Sequence, residues 1–88
     1  MKMNKYRAKM LLVLDNLIPD LRYCEYLSLK LEKYSSSVNV ELRNMERLGW
    51  ISMIKYKHRK IVTRISPVVL DEAKAFLETQ VGPNDAAD

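Results

Sequence analysis

The first stretch of the chain, residues 3–18, has the apolar spacing of an α-helix. From Met3 to Leu17, apolar side chains recur every three or four residues, which places them on one helical face. Residues 11–13 are apolar as well, and a helix that is apolar over so much of its circumference needs more than one packing partner. Pro19 is predicted to end this helix, because the residue before a proline is disfavoured in the helical conformation.

A second helix is predicted to begin near Leu21 or Arg22, with Asp20 as its N-cap. Its apolar positions have the same spacing and are Leu21, Cys24, Leu27 and Leu31. The pattern stops at residues 34–37, where three serines favour a turn because their hydroxyls compete with the helix for backbone hydrogen bonds. The next N-cap is therefore expected at Ser35 or Ser36.

A third helix is predicted from Ser36 to Leu48. Val38, Leu42 and Met45 form its inward stripe, and Gly49 is a natural C-terminal stop. The opposite face is short, polar and basic, which makes it the first candidate functional surface of the chain.

After Gly49 the periodicity changes from helical to alternating, which predicts two β-strands at residues 50–57 and 60–66. The turn between them, residues 57–60, is polar and basic and lacks the Asn-Gly or Asp-Gly pair of a tight hairpin. The side chains expected to face inward are Ile51 and Met53 on the first strand and Ile61, Thr63 and Ile65 on the second.

A last helix is predicted to start at Ser66-Pro67, because serine caps helices and proline suits the first helical position. Its apolar stripe runs to about Gln80. Residues 82–88 are small, polar and acidic and are predicted to form a flexible tail, which leaves residues 1–81 as a single domain.

This order of elements predicts an α+β fold that is mostly α. Two helices joined by a tight turn and followed by a β-hairpin are the plan of a winged helix-turn-helix domain. The expected architecture is a three-helix core, a two-stranded β-hairpin wing and a C-terminal helix.

Over residues 21–70 the chain resembles the MarR-like branch of winged-helix transcriptional regulators. The apolar positions that carry the resemblance are Leu27, Leu31, Val38, Leu42, Met45, Gly49, Trp50 and Ile51. Residues 45–51 are similar to the motif that ends the recognition helix in those families, and Ile65-Ser66-Pro67 is similar to the motif that follows the wing. The resemblance implies a small DNA-binding regulator, of a type common in archaea and their viruses.

The charge distribution points to a polyanionic partner. The chain carries a formal net charge of +4, yet residues 47–70 hold six Lys or Arg and no acidic residue. A stretch with only positive charge in a nearly balanced protein suggests a surface for nucleic acid. A solvated face that merely keeps the protein in solution is the alternative.

Two groups of residues are predicted to contact DNA. The recognition helix, placed in the major groove, would contribute Ser36, Ser37, Asn39, Val40, Arg43, Asn44 and Arg47. The wing, placed on the backbone or in the minor groove, would contribute Lys55, Lys57, His58, Arg59, Lys60 and Arg64. The alternative for Arg43 and Arg47 is a surface ion pair with Glu41 or Glu46.

Other chemistry is not expected. One His and one Cys cannot form a nucleophile–base arrangement, and neither glycine belongs to a phosphate-binding loop, so we predict no enzymatic activity, no cofactor and no metal site. Cys24 is expected to be a small buried side chain. Tyr23, Tyr26 and Tyr34 are expected to have structural roles, and Trp50 is expected to pack in the core or at the base of the wing.

The predicted function is therefore sequence-specific binding of double-stranded DNA by a cytoplasmic homodimer that associates through helices 1 and 4. No membrane segment and no small-molecule ligand are expected. One alternative is a winged-helix module that binds another protein in a transcription or replication assembly, since the same fold can carry a different role. A sequence-neutral, chromatin-like DNA binder is a second alternative.

Overall fold

A computed structural model describes residues 3–80 of the chain. These residues form an α+β fold that is mostly helical, with four α-helices and one two-stranded antiparallel sheet. In chain order the elements are α1 (Lys5–Asn16), a short 3₁₀ helix (Pro19–Leu21), α2 (Cys24–Leu31), α3 (Ser35–Arg47), β1 (Ile51–Tyr56), β2 (Arg59–Ile65) and α4 (Pro67–Gln80). The predicted acidic tail, residues 82–88, lies outside the described residues.

Every α-helix and both strands contribute to one core. Its buried side chains are Ala8, Met10, Leu11, Leu14, Leu27, Val38, Leu42, Met45, Ile51, Val62 and Ala73. Helix α1 contacts α4, α2 and β2, so its wide apolar stripe is packed against several elements of its own chain. The requirement for more than one packing partner is thus met without a second copy.

The predicted start of the second helix at Leu21 or Arg22, capped by Asp20, is wrong. Pro19–Leu21 form the separate 3₁₀ helix, and α2 begins three residues later than Leu21, at Cys24. The reason is a long-range contact: Tyr23 is extended and forms an antiparallel bridge with Ile61. The Arg22 carbonyl accepts a hydrogen bond from the Val62 amide at 2.8 Å.

The connection between α2 and α3 is three residues long. Glu32 closes α2 with a positive φ of 56°, and α3 begins at Ser35. The predicted N-cap at Ser35 or Ser36 is wrong, because Tyr34 occupies the cap position and its side chain makes no capping hydrogen bond. A short connection is confirmed, but it lies at residues 32–34, and the three serines predicted to form the turn are the first residues of α3.

The inward stripe and the C-terminal stop of α3 are confirmed. Val38, Leu42 and Met45 are fully buried. Gly49 has a φ of +80°, and it ends the helix with two hydrogen bonds, from its own amide to the Glu46 carbonyl and from the Trp50 amide to the Met45 carbonyl. This geometry turns the chain directly from α3 into β1, so the hairpin starts beside the end of α3.

The hairpin contains an irregularity that the alternating pattern did not predict. The register passes from Ser52 opposite Arg64 to Met53 opposite Val62, so β2 carries one extra residue, Thr63, at a β-bulge. Because of the bulge, Val62 and Ile65 both face the core although they are three residues apart, opposite Met53 and Ile51. The predictions that Ile61 and Thr63 face inward are wrong, because Thr63 is exposed and Ile61 lies on the opposite face of the sheet, where it is bridged to Tyr23.

Candidate nucleic-acid interface

One face of α3 is left uncovered by the rest of the described chain. Ser36, Val40, Arg43 and Arg47 are spaced four, three and four residues apart, and all four are exposed. They lie opposite the buried stripe, and Ser37 is exposed beside them. Val40 is 55% exposed and adds an apolar side chain to this otherwise polar face.

The two asparagines lie at the edges of this exposed face. Asn39 is half-buried and lines a cleft of about 310 Å³ between the first turns of α2 and α3, together with Cys24, Glu25, Ser35 and Ser36. Asn44 is also half-buried, and its amide donates a hydrogen bond to Glu41 Oε1 at 3.3 Å. Asn44 thus keeps a second N–H and its carbonyl oxygen for another partner.

Glu41 on α3 forms an ion pair with Arg7 of α1. The Arg7 guanidinium donates to both carboxylate oxygens, and the two side chains are 7% and 15% exposed. The guanidinium also lies 5.9 Å from the centre of the Trp50 ring, at the residue that leads into β1. This cluster of Arg7, Glu41 and Trp50 joins α1, α3 and the base of the hairpin.

The Arg7 contact changes the electrostatics of α3. The hydrogen bond from Arg7 lowers the pKa of the Glu41 carboxyl below its ordinary value of 4.5; burial opposes this effect, and Asn44 adds to the lowering. Arg7 therefore balances the charge of the Glu41 carboxylate from the side of α3 that faces α1. Within residues 3–80, neither Arg43 nor Arg47 has an ion-pair partner, so both guanidinium groups remain available on the exposed face.

All the predicted wing residues are exposed along the hairpin. They are Lys55, Lys57, His58, Arg59, Lys60 and Arg64. Lys57 and His58 form the two-residue turn, where Lys57 adopts a positive φ of 57°, a conformation usually left to glycine or asparagine.

The hairpin cations divide between the two faces of the sheet. Lys55 and Lys60 are directly opposite each other across the strands. Because alternate residues share a face, they lie on the same side as Met53 and Val62, which pack towards the body of the molecule. Like charges placed directly opposite each other destabilise a hairpin, so this pair has a cost in the free protein.

Arg59 lies on the other face. Its guanidinium carbon is 4.1 Å from the centre of the Tyr23 ring. The open cleft on this side has a volume of about 380 Å³ and is lined by Asp20, Tyr56, Lys57, His58, Arg59 and Ile61. The hairpin tip therefore stands beside the 3₁₀ helix.

Three residues of this region were not predicted from the pattern. Arg7 carried a usable signal, because it is spaced four and three residues from Met3 and Met10 on the inward stripe of α1, where a charge needs a buried partner. Tyr23 gave no such signal, because its contact with Arg59 is long-range. The Tyr34 ring is 84% exposed beside the start of α3, which the pattern did not predict.

Comparison of the sequence with protein-family models gives no match, and no curated protein matches it. Within residues 3–80, no three His, Cys, Asp or Glu side chains come together in a group that could hold a metal ion. The helices of that part of the chain are too short or too polar to cross a membrane.

Proposed function

We propose that the chain is a winged helix-turn-helix protein that binds double-stranded DNA as a sequence-specific transcriptional regulator in the cytoplasm. Helix α3 would enter the major groove, and the hairpin would lie on the backbone or in the minor groove. The observation that carries the proposal is a face of α3 that residues 3–80 leave uncovered, on which Arg43 and Arg47 have no ion-pair partner among those residues, directly followed by a hairpin of exposed cations.

The topology supports the winged-helix assignment. Helices α2 and α3 pack together across a three-residue connection, and the hairpin follows α3 at once. The segment Arg22–Tyr23 joins the edge of β2 through a backbone hydrogen bond and a bridge, which ties the hairpin to the start of α2.

The side chains on α3 match the chemistry of base edges. Arg43 and Arg47 can each donate two hydrogen bonds to the O6 and N7 atoms of guanine, and Val40 can pack on a thymine methyl group. Asn44 can still pair with adenine through its free N–H and its carbonyl oxygen, while Glu41 holds the side chain in place. Lys55 and Lys60 fit phosphates, whose charge would remove the repulsion between them.

A homodimer formed through α1 and α4 remains part of the proposal. These two helices pack against each other within one chain, which leaves less free apolar surface than the sequence indicated. The support that remains is Val68 on α4, which is 67% exposed. In a dimer, two copies of α3 would read half-sites about one helical turn of DNA apart.

The experiment that tests the function is selection of bound duplexes from a random oligonucleotide pool, followed by affinity measurement on the selected site. We expect one recurring sequence, and two-fold symmetry in it would support the homodimer. Arg43→Ala should weaken binding to that site by roughly five- to a hundredfold, because a bidentate arginine–guanine contact is lost. Lys74→Ala removes an exposed charge from α4 on a different face from Val68, about 120° around the helix, so it is the matched control and should bind like the wild type.

The other outcomes separate the alternatives. Salt-sensitive binding without any recurring sequence would contradict a specific regulator and indicate a sequence-neutral binder. No binding to any duplex at low salt would reject DNA as the ligand and leave the protein-interaction module as the explanation of the exposed α3 face.

A further inference from the structure

Arg59 differs from the other hairpin cations in that its charge contacts an aromatic ring outside the hairpin. Its guanidinium carbon lies 4.1 Å from the centre of the Tyr23 ring, within the range of a close cation–π contact. On the same hairpin, the Lys57 ammonium lies 5.4 Å from the Tyr56 ring, and these two residues are sequence neighbours. Among the cation–π contacts within residues 3–80, the Arg59 contact alone connects the hairpin tip to a different element.

The backbone explains why Arg59 meets Tyr23. Tyr23 is bridged to Ile61, so the two side chains lie on the same face of the sheet, and Arg59 is two residues before Ile61 on that face. The Val62 amide and the Arg22 carbonyl hold this arrangement with a 2.8 Å hydrogen bond. Lys55 and Lys60 lie on the opposite face, so Arg59 points away from them.

Tyr23 is itself held by α2. Its ring centre is 6.2 Å from that of Tyr26, with the planes tilted by 49°, and the Lys30 ammonium lies 5.6 Å from the Tyr26 ring centre. Arg59, Tyr23, Tyr26 and Lys30 therefore form a continuous row of cation–π and ring–ring contacts. This row runs from the hairpin tip along α2, the helix that packs against α3.

We propose that Arg59 and Tyr23 are positioning residues that fix the hairpin relative to α2 and α3, so that Lys55 and Lys60 reach the duplex bound by α3. This inference rests on the proposed function. It assigns Arg59 a role different from that of a phosphate contact: the guanidinium orders the hairpin, and the two lysines on the other face carry the contact with DNA.

The salt dependence of DNA binding distinguishes the two roles. Each lost phosphate contact reduces the slope of log affinity against log salt by about 0.9. Lys60→Ala should therefore reduce the slope by about that amount. Arg59→Ala removes the same charge one residue away, and we expect it to weaken binding by roughly two- to fivefold while the slope stays that of the wild type.

Tyr23 provides a second, independent test. Tyr23→Leu should weaken binding as much as Arg59→Ala, and the double variant should be no weaker than either single variant, because both remove the same contact. Tyr23→Phe keeps the ring and should bind like the wild type. If Arg59→Ala reduces the salt slope as Lys60→Ala does, or if its effect adds fully to that of Tyr23→Leu, Arg59 is a phosphate contact and the proposal is wrong.

A measurement without DNA separates this inference from the proposed function. In the free protein, the Tyr23 ring should shift the Arg59 side-chain NMR signals upfield, and the Val62 amide should be protected from hydrogen exchange. Both effects should be lost in Tyr23→Leu and kept in Tyr23→Phe. Ordinary Arg59 shifts in the wild type would overturn the inference even if DNA binding is confirmed, whereas absence of DNA binding with these signals intact would reject only the proposed function.

Discussion

At the scale of single residues, the ion pair between Arg7 and Glu41 explains why Glu41 does not cancel the positive charge on the outer face of α3. The pair is almost entirely removed from water, where two charges are stable only if they satisfy each other. Arg7 makes the bond from the inside of the molecule, and the outer face of α3 keeps its positive charge. The sequence of α3 offers Glu46 as a local partner for Arg43, three residues away, but its spacing cannot show that Glu41 pairs with a residue of α1.

The Glu41 pair predicts a pH dependence of stability. The pKa of Glu41 is lower in the folded protein than its ordinary value of 4.5, so the unfolded chain binds a proton first as the pH falls. The stabilisation is complete above about pH 5 and is lost as the pH falls through the folded-state pKa. Glu41→Gln should therefore be less stable than the wild type at neutral pH, and the difference should shrink on acidification to about pH 3.

Urea denaturation of both proteins over this pH range measures the difference. Glu78→Gln, which removes an exposed carboxylate from α4, is the control, and its free energy of unfolding should change with pH as that of the wild type does. A stability difference between wild type and Glu41→Gln that stays constant with pH would show that Glu41 does not titrate through its contact with Arg7.

At the scale of elements, α3 was predictable and the hairpin was only partly so. The stripe of Val38, Leu42 and Met45 and the stop at Gly49 depend on local spacing and on one residue's φ, both of which can be read from the chain. The face of β2 depends on a bulge at Thr63, which alternation alone does not reveal. The extended conformation of Tyr23 depends on pairing with a strand 38 residues later in the chain.

The Lys55–Lys60 pair predicts opposite effects on stability and on binding. Lys60→Glu places an opposite charge across from Lys55 and should stabilise the hairpin by about 0.2–1 kcal/mol. The same change should weaken DNA binding by about tenfold or more at moderate salt, because a phosphate contact becomes a repulsion. Thermal unfolding and a binding titration on the same samples measure both effects.

Lys74→Glu changes the net charge equally at an exposed site on α4, on a different face from Val68, and is the matched control. It should leave binding close to that of the wild type. If both variants weaken binding equally, net charge and not the position of Lys60 determines affinity, and the role given to the Lys55–Lys60 pair is wrong.

At the scale of the whole molecule, the sequence predicted the order of the helices and strands, but it did not predict the contacts that orient these elements. Two long-range cation–π contacts orient the hairpin: one joins Arg7 to Trp50, and the other joins Arg59 to Tyr23. Each link joins elements far apart in the chain, so the partner of Arg7 or of Tyr23 cannot be read from local spacing. Together they hold the hairpin beside α3, on which the proposal of a shared DNA surface depends.

The most direct test of that shared surface is an NMR titration of the isotope-labelled protein with a short DNA duplex at low salt. Amide signals of the exposed α3 face, residues 36–47, and of the hairpin, residues 55–60, should shift together with a single dissociation constant, while those of α4 stay in place. Shifts confined to the hairpin, shifts centred on α4, or no shifts at all would contradict the account.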